Sequence, residues 1–320
     1  MPSPSIHPIR VFTNLRVATM SKKISCMIPG LHLIFLSFFV SCSYSCTFTI
    51  TNNCPQTIWP GTLAGSGSPQ LATTGFQLDP GQSIQIPAVP GWSGRIWART
   101  GCKFDVSGVG SCQTGDCDGK LECNGIGATP PASLFEITLG SGNDKDFYDV
   151  SIVDGYNLPL VAAPRGVQGG CNATGCASDI NMGCPKELQV VGGDGGEGGG
   201  VVACKSACEA FGLQQYCCSG EFANPTTCRP SFYSSIFKRA CPRAYSYAFD
   251  DGTSTFTCKA HDYAILFCPN AKGISDGKYP AEVVHKSSNQ EAVKMASSSN
   301  ILLPFPMWIL LLILNLTLQI

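Results

Sequence analysis

Nineteen cysteines in a chain of 320 residues constrain the fold more than any other feature of this sequence. In a reducing cytosol so many thiols would have to hold metals or stay reactive. In an oxidising compartment they pair, and the chain reads as a disulfide-stapled extracellular protein. Sixteen of them run from Cys54 to Cys268, while Cys26, Cys42 and Cys46 lie in or at the edge of a leader. Sixteen thiols allow on the order of two million pairings, and the residues alone select none. Charged residues are sparse at 13%, and 35 glycines and 22 prolines punctuate the chain, so short strands and turns are expected rather than long helices.

Both ends read as processing signals. Lys22 and Lys23 precede an apolar run from about Ile28 to Val40, and small or polar residues follow from Ser41 to Ser45. That order is a secretory signal peptide, within a leader spanning 1–45 whose true start is Met20 or Met1. The run is short for a membrane span. A second apolar segment, Ile301–Ile320, has no charge after Lys294 and follows the small residues Ala296–Ser299. This pattern is that of a GPI-attachment signal, with Ser297 or Ser298 as the lipid-bearing residue. The alternatives are a retained tail anchor or a vacuolar-type extension. A polar stalk, residues 270–300, joins this tail to the body.

The body itself is acidic. From Cys46 to Cys268 there are 13 Lys and Arg against 19 Asp and Glu, a net charge of about −6. Nucleic-acid binding needs clustered positive charge, and so does attraction to anionic lipid, so neither is expected. Any membrane association is through the C-terminal lipid anchor alone, and the body is expected to be a monomer.

Alternation predicts strands at Thr47–Thr51, Gln82–Val89, Gly94–Thr100, Ser133–Leu139, Phe147–Val153 and Tyr263–Phe267. Asp79-Pro80-Gly81 and Asp154-Gly155 mark turns. Helices are predicted over Ala203–Phe211 and Ser231–Cys241, the second starting near Pro230 with Phe232, Ile236 and Phe237 along one face. Strands dominate both ends of the body and the helices fall between, which suggests a mainly β fold: an antiparallel β-sandwich with a cysteine-rich, partly helical insertion. No internal repeat is visible.

The segment Gly108-Val109-Gly110-Ser111-Cys112-Gln113-Thr114-Gly115-Asp116-Cys117, continuing to Gly119 and Cys123, resembles the signature of the thaumatin family. So do Asn53-Cys54-Pro55 with Trp59, Ile96-Trp97-Ala98-Arg99-Thr100, Gln215-Tyr216-Cys217-Cys218 and Cys241-Pro242 with Ala244-Tyr245-Ser246-Tyr247. The resemblance spans about Cys46 to Pro269. It implies a thaumatin-like domain over 46–269, with a sandwich built from 46–100, 131–177 and 242–269, a small disulfide loop at 101–130 and a cysteine-rich region at 178–241. It also implies eight bridges: Cys54–Cys268, Cys102–Cys112, Cys117–Cys123, Cys171–Cys258, Cys176–Cys241, Cys184–Cys204, Cys208–Cys217 and Cys218–Cys228. Each would add roughly 2–4 kcal/mol by limiting the unfolded chain. The glycine-rich run Gly192–Gly200 is longer than is usual in the family.

Some motif matches carry nothing. Gly193–Gly198 fits G-x-G-x-x-G, but a disulfide-closed loop lacks the βαβ unit a dinucleotide needs. Gly273–Gly277 fits G-x-S-x-G, but it lies in the polar stalk with no strand before it. Of four histidines only His261 is in the body, so neither a histidine triad nor a metal cluster is expected, and no cofactor or metal is called for.

Carboxylates remain. The resemblance implies an acidic cleft of one arginine, one glutamate and three aspartates, matched here by Arg95, Glu136, Asp149, Asp154 and one of Asp250 and Asp251, with Asp250 favoured. Glu136 alternates with Phe135 and Ile137, so it faces away from the core. Asp149 and Asp154 have opposite strand parity and share a face only if Asp154 lies in a turn. Such a cluster can bind a sugar polymer, hydrolyse it, or form a structural network around Arg95. The expected ligand is β-1,3-glucan or another cell-wall polysaccharide, in a plant defence role with antifungal consequences at the cell surface or in the apoplast and wall. In the rival reading, a weak endo-β-1,3-glucanase, Glu136 donates the proton and Asp154 is nucleophile or base. Their separation would set the stereochemistry, about 5–5.5 Å for retention and about 6.5–9.5 Å for inversion. A third reading is a non-catalytic surface interaction protein. Asn172-Ala173-Thr174 is a glycan acceptor, whereas Pro225 disqualifies Asn224.

Overall fold

The computed structural model describes residues 46–166, 170–193 and 199–269. The leader, the stalk, the apolar tail with Ser297 and Ser298, and most of the glycine-rich run lie outside the described residues.

Two five-stranded sheets face each other. One has the order β10-β9-β14-β1-β3 and the other β13-β8-β7-β4-β2. The first is built from β1 (Cys46–Asn52), β3 (Ser83–Ala88), β9 (Leu160–Arg165), β10 (Thr174–Cys176) and β14 (Asp262–Phe267). The second holds β2 (Trp59–Ala64), β4 (Ser93–Arg99), β7 (Leu134–Thr138), β8 (Asp146–Ser151) and β13 (Phe256–Cys258). All pairings in the two sheets are antiparallel except β1 with β14, which run parallel. The mainly β expectation is met, with two paired sheets.

Alternation explains the core. Phe48 and Ile50 of β1 and Tyr263 and Ile265 of β14 are fully buried, as are Ile96, Phe135 and Val150 of the facing sheet. Aromatic rings bridge the two layers: Tyr148 to Tyr263 at 5.1 Å, Phe135 to Tyr263 at 6.2 Å and Phe48 to Phe135 at 6.3 Å between centroids. Each such ring removes a large apolar area from water, the main force holding the layers together.

The outer face of the second sheet is covered at one end only. There Trp97 and Leu134 pack under the small loop closed by Cys117 and Cys123. Two short strands, β5 (Lys103–Phe104) and β6 (Gly110–Ser111), brace that loop. Towards the other end of the same strands the outer face stays open, and this open end forms the site described below.

The region predicted to be helical over Ala203–Phe211 is split. Val201–Cys204 is a strand, β12, paired with β11 (Gln189–Val191), and only Ala207–Phe211 is helix, α1. Cys204 is tied to Cys184 and exchanges backbone hydrogen bonds with Tyr156, which holds this stretch extended. Ser206 then caps α1 by accepting from Glu209 N. A second short helix, α2 (Gln214–Cys217), follows. The other predicted helix is α3 (Phe232–Ala240), with Ser231 and Ser234 forming a capping box. Of the expected apolar face Phe237 is buried and Ile236 packs against the core, whereas Phe232 is 71% exposed. A last turn of helix, α4 (Asp251–Ser254), precedes β13.

Eight disulfides close: 54–268, 102–112, 117–123, 171–258, 176–241, 184–204, 208–217 and 218–228. Cys46 is the unpaired cysteine among the described residues. It opens β1, and burial pushes its thiol up to about 12, so it is held as a neutral apolar group.

Candidate functional site

Register places the predicted residues side by side. Arg95 on β4 lies opposite Glu136 on β7, and Glu136 lies opposite Asp149 on β8. Their strand neighbours Ile96, Phe135, Ile137, Tyr148 and Val150 all point into the core, so the three polar side chains share the outer face. Arg95 Nε stands 3.6 Å from Glu136 Oε1, with both side chains partly exposed. Around them is an open concavity of about 330 Å³, walled by Leu63, Thr138 and Phe147 as well as by the three polar groups.

Asp149 is the most perturbed group in it. Its carboxyl is raised to about 8, by burial first and then by Glu136 and Asp251, with Arg95 opposing. Its Oδ1 is buried without a hydrogen-bond partner. Glu136 is raised as well, by burial first, with Arg95 opposing and Asp154 adding to the rise. Asp146, three residues earlier on β8, shows the contrast. It accepts from Gly140 N, Ala260 N and Tyr263 Oη and is fully buried, which marks it as part of the framework. Only Asp149 is both unsatisfied and open to the cleft.

Asp154 lies in the turn beyond β8 and is exposed. Gly155 follows it at φ +86°, and an added Cβ there would sit 2.5 Å from Pro131 Cβ. Only glycine fits that turn, which carries Asp154 past the strand and back toward Glu136 despite its opposite parity. Asp154 also acts on a residue that the sequence reading did not single out. Glu209, on α1, is raised by burial and by Asp154, with Lys205 opposing, and its Oε2 is buried without a partner.

The structure separates Asp250 from Asp251. Asp250 Oδ2 accepts from Lys238 Nζ, Ser246 N and Ser246 Oγ, each at 2.9 Å, so it anchors the loop after α3. Asp251 is exposed, accepts from Tyr245 Oη at 2.8 Å and bears electrostatically on Asp149. Three donors thus engage Asp250, and Asp251 is the member of the pair that bears on Asp149. Tyr245 joins the site through its backbone: its N donates to Val150 O and its O accepts from Ile152 N. Burial pushes its phenol up to about 12.

Sequence reasoning missed Phe147, Tyr245 and Glu209. Phe147 shares the parity of Asp149 two residues on, and that signal was available; it is 55% exposed at the cleft wall. Glu209 had no signal, because only the docking of α1 brings it near Asp154. Among the described residues no group of His, Cys, Asp and Glu is arranged to hold a metal, and no helix is long and apolar enough to cross a membrane. Asn172 is exposed on a loop beside the Cys171 bridge.

Asp149 makes stability depend on pH in a defined direction. Its folded-state pKa lies above the ordinary carboxylate value, so the folded chain keeps a proton that the unfolded chain has lost. The stability this contributes is complete below about pH 4 and falls as pH rises toward 8. Asn mimics the protonated form at every pH. Asp149→Asn is therefore expected to stabilise the protein at pH 7.5 and to leave it nearly unchanged at pH 4. Denaturant titrations at the two values check this, and an equal difference at both would refute it.

Residues 52–269 match the Thaumatin family. The chain is 55% identical over 240 residues to pathogenesis-related thaumatin-like protein 3.5 of Cryptomeria japonica, covering 75% of this chain and 97% of that one. It is 55% identical over 244 residues to pathogenesis-related protein 5 of Arabidopsis thaliana, covering 76% and 99%. It is 49% identical over 245 residues to a protein of Prunus avium named glucan endo-1,3-beta-glucosidase, covering 76% and 98%.

Proposed function

The chain belongs to the thaumatin family, and from that premise we propose that it is an extracellular defence protein that binds β-1,3-glucan along the cleft of Arg95, Glu136 and Asp149. One observation carries the reading. A guanidinium and two carboxylates stand in a row across three strands, in an open groove walled by an exposed phenylalanine. Carboxylates accept from sugar hydroxyls, the guanidinium donates to them, and an aromatic face covers the apolar side of a pyranose ring. Asp154 and Asp251 bear electrostatically on Glu136 and Asp149 and add exposed acceptors nearby. The pathogenesis-related names of two relatives support the defence role.

A hydrolytic reading is favoured by a specific observation. A carboxyl raised to about 8, and so protonated at neutral pH, beside another carboxylate is the pairing that glycoside hydrolysis uses. That feature makes Asp149 a candidate acid beside Glu136, with Asp154 as nucleophile or base. The name of the Prunus avium relative supports this reading for that protein.

Titration with a linear β-1,3-gluco-hexaose separates the two. Glu136→Gln is expected to weaken binding about tenfold, since a bond to a charged acceptor is worth about 1.5–3 kcal/mol. Reducing ends are expected to stay at the blank level. Release of reducing ends that Glu136→Gln abolishes would establish the hydrolase instead. Unchanged binding in Glu136→Gln would remove the cleft from both readings.

We further propose a monomer carrying a glycan at Asn172 and held on the outer leaflet by a lipid on Ser297 or Ser298 that replaces the segment after it. Phospholipase C treatment of intact cells is expected to release it.

A further inference from the structure

We propose a second binding site, for an uncharged saccharide, in the cavity where β2 begins and β4 and β14 end. It does not depend on the acidic cleft. The cavity encloses about 690 Å³, twice the volume of the cleft groove, and shares no lining residue with it. That volume lies within the range of ligand sites.

Its chemistry is that of a sugar site. One wall is apolar: Trp59, Leu158, Pro159 and Val202. The rim holds the exposed amides of Gln56 and Gln113. Trp59 is distinctive among the tryptophans of the described residues. Trp92 and Trp97 are buried, and each indole N–H donates to a backbone carbonyl, Pro69 O and Gly115 O, at 2.9 Å. Trp59 is only half-buried and lines this cavity. An indole face beside amides matches the apolar face and hydroxyl edge of a pyranose.

The polar groups of the lining narrow the ligand further. Asn181 Nδ2 donates to Asn157 O at 3.1 Å, which fixes the amide orientation, because the flipped amide would set oxygen against oxygen. Asn181 Oδ1 is then left buried with no partner. The cavity lining holds no lysine, arginine or histidine. Its single carboxylate, Asp179, already accepts from Asn181 N. A lining with one carboxylate and no cationic side chain disfavours an anion, and a neutral saccharide fits its amides and apolar wall.

The test uses the mature secreted protein, with laminarihexaose and cellohexaose as probes and trigalacturonate as the anionic control. The emission lost in Trp59→Phe isolates the Trp59 signal. That signal is expected to change saturably with at least one neutral hexaose and not with trigalacturonate. Trp59→Ala should weaken this binding about tenfold, and Gln113→Ala, an exposed rim change, several-fold. Glu136→Gln should leave it unchanged, which separates this site from the cleft. No saturable change at millimolar sugar would overturn the proposal. So would binding that Glu136→Gln abolishes and Gln113→Ala spares, or a response to trigalacturonate alone.

Discussion

Replacing Arg99 with methionine is expected to cost about 4 kcal/mol, a drop of roughly 10 °C in melting temperature. Arg99 ends β4 on the same outer face as Arg95, yet it is fully buried. Its Nε donates to Trp59 O, Nη1 to Lys120 O and Cys117 Sγ, and Nη2 to Pro60 O and Leu121 O. The guanidinium thus ties the small disulfide loop to the sheet. Burial lowers its pKa to about 10, while Asp116 and Glu122 oppose the shift. Methionine fills the space but takes the donor from the loop carbonyls of Lys120 and Leu121, while Pro60 O still accepts from Phe76 N, and each unmet buried acceptor costs about 1–3 kcal/mol before relaxation. Lysine keeps the charge but offers three donors from a single point, so Arg99→Lys should recover about half of the loss. Arg95→Met is the internal control. Arg95 lies four residues away on the same face, half-exposed in a loose ion pair, and its loss should cost under about 1 kcal/mol. Equal melting temperatures for the two methionine variants would show that the buried guanidinium does not hold the loop.

Removing the Cys54–Cys268 bridge by a double change to alanine is expected to cost about 4 kcal/mol, near twice the cost of removing Cys117–Cys123. The first spans 214 positions and the second 6. Chain entropy lost from the unfolded state grows with the logarithm of loop length. Other bridges inside the long loop shorten it, so the expected value is set below that of an isolated loop. Functionally, 54–268 joins the segment after β1 to the end of β14, closing the sheet that backs the cleft strands. Thermal melts without reductant give both values. A cost for 117–123 equal to or above that for 54–268 would contradict the entropic account.

Much of this was legible in sequence, for identifiable reasons. β1, β3, β4, β7, β8 and β14 were found to within a residue or two, β14 as a short apolar run although both its faces are covered. Glu136 was placed on the open face by Phe135 and Ile137 alone. β9 was missed because both its faces are covered. Leu160 and Ala162 enter the main core, and Val161 and Ala163 pack with Ala173, Ala264 and Leu266, so no alternation remains. β2 was missed because Pro60-Gly61 reads as a turn. In the structure the Trp97 ring lies 2.6 Å from where a Cβ on residue 61 would be, and glycine admits it. The disulfide pairs and the arginine, glutamate and aspartate set came from family resemblance, since spacing could not choose among the pairings. Asp250 and Asp251 were indistinguishable in sequence. Their roles diverge only because Lys238 and Ser246 claim one and Tyr245 claims the other. Glu209 and the Trp59 cavity are tertiary facts, created where distant segments meet.

The central claim is that the open end of the β4–β7–β8 face is where glucan binds. Amide chemical-shift mapping of the mature protein during titration with a linear β-1,3-gluco-hexaose tests it most directly. Saturable shifts at Arg95, Glu136, Phe147 and Asp149 are expected, and they should weaken together in Glu136→Gln. Saturation that leaves those four amides unmoved, or no shifts at all at millimolar hexaose, would contradict it.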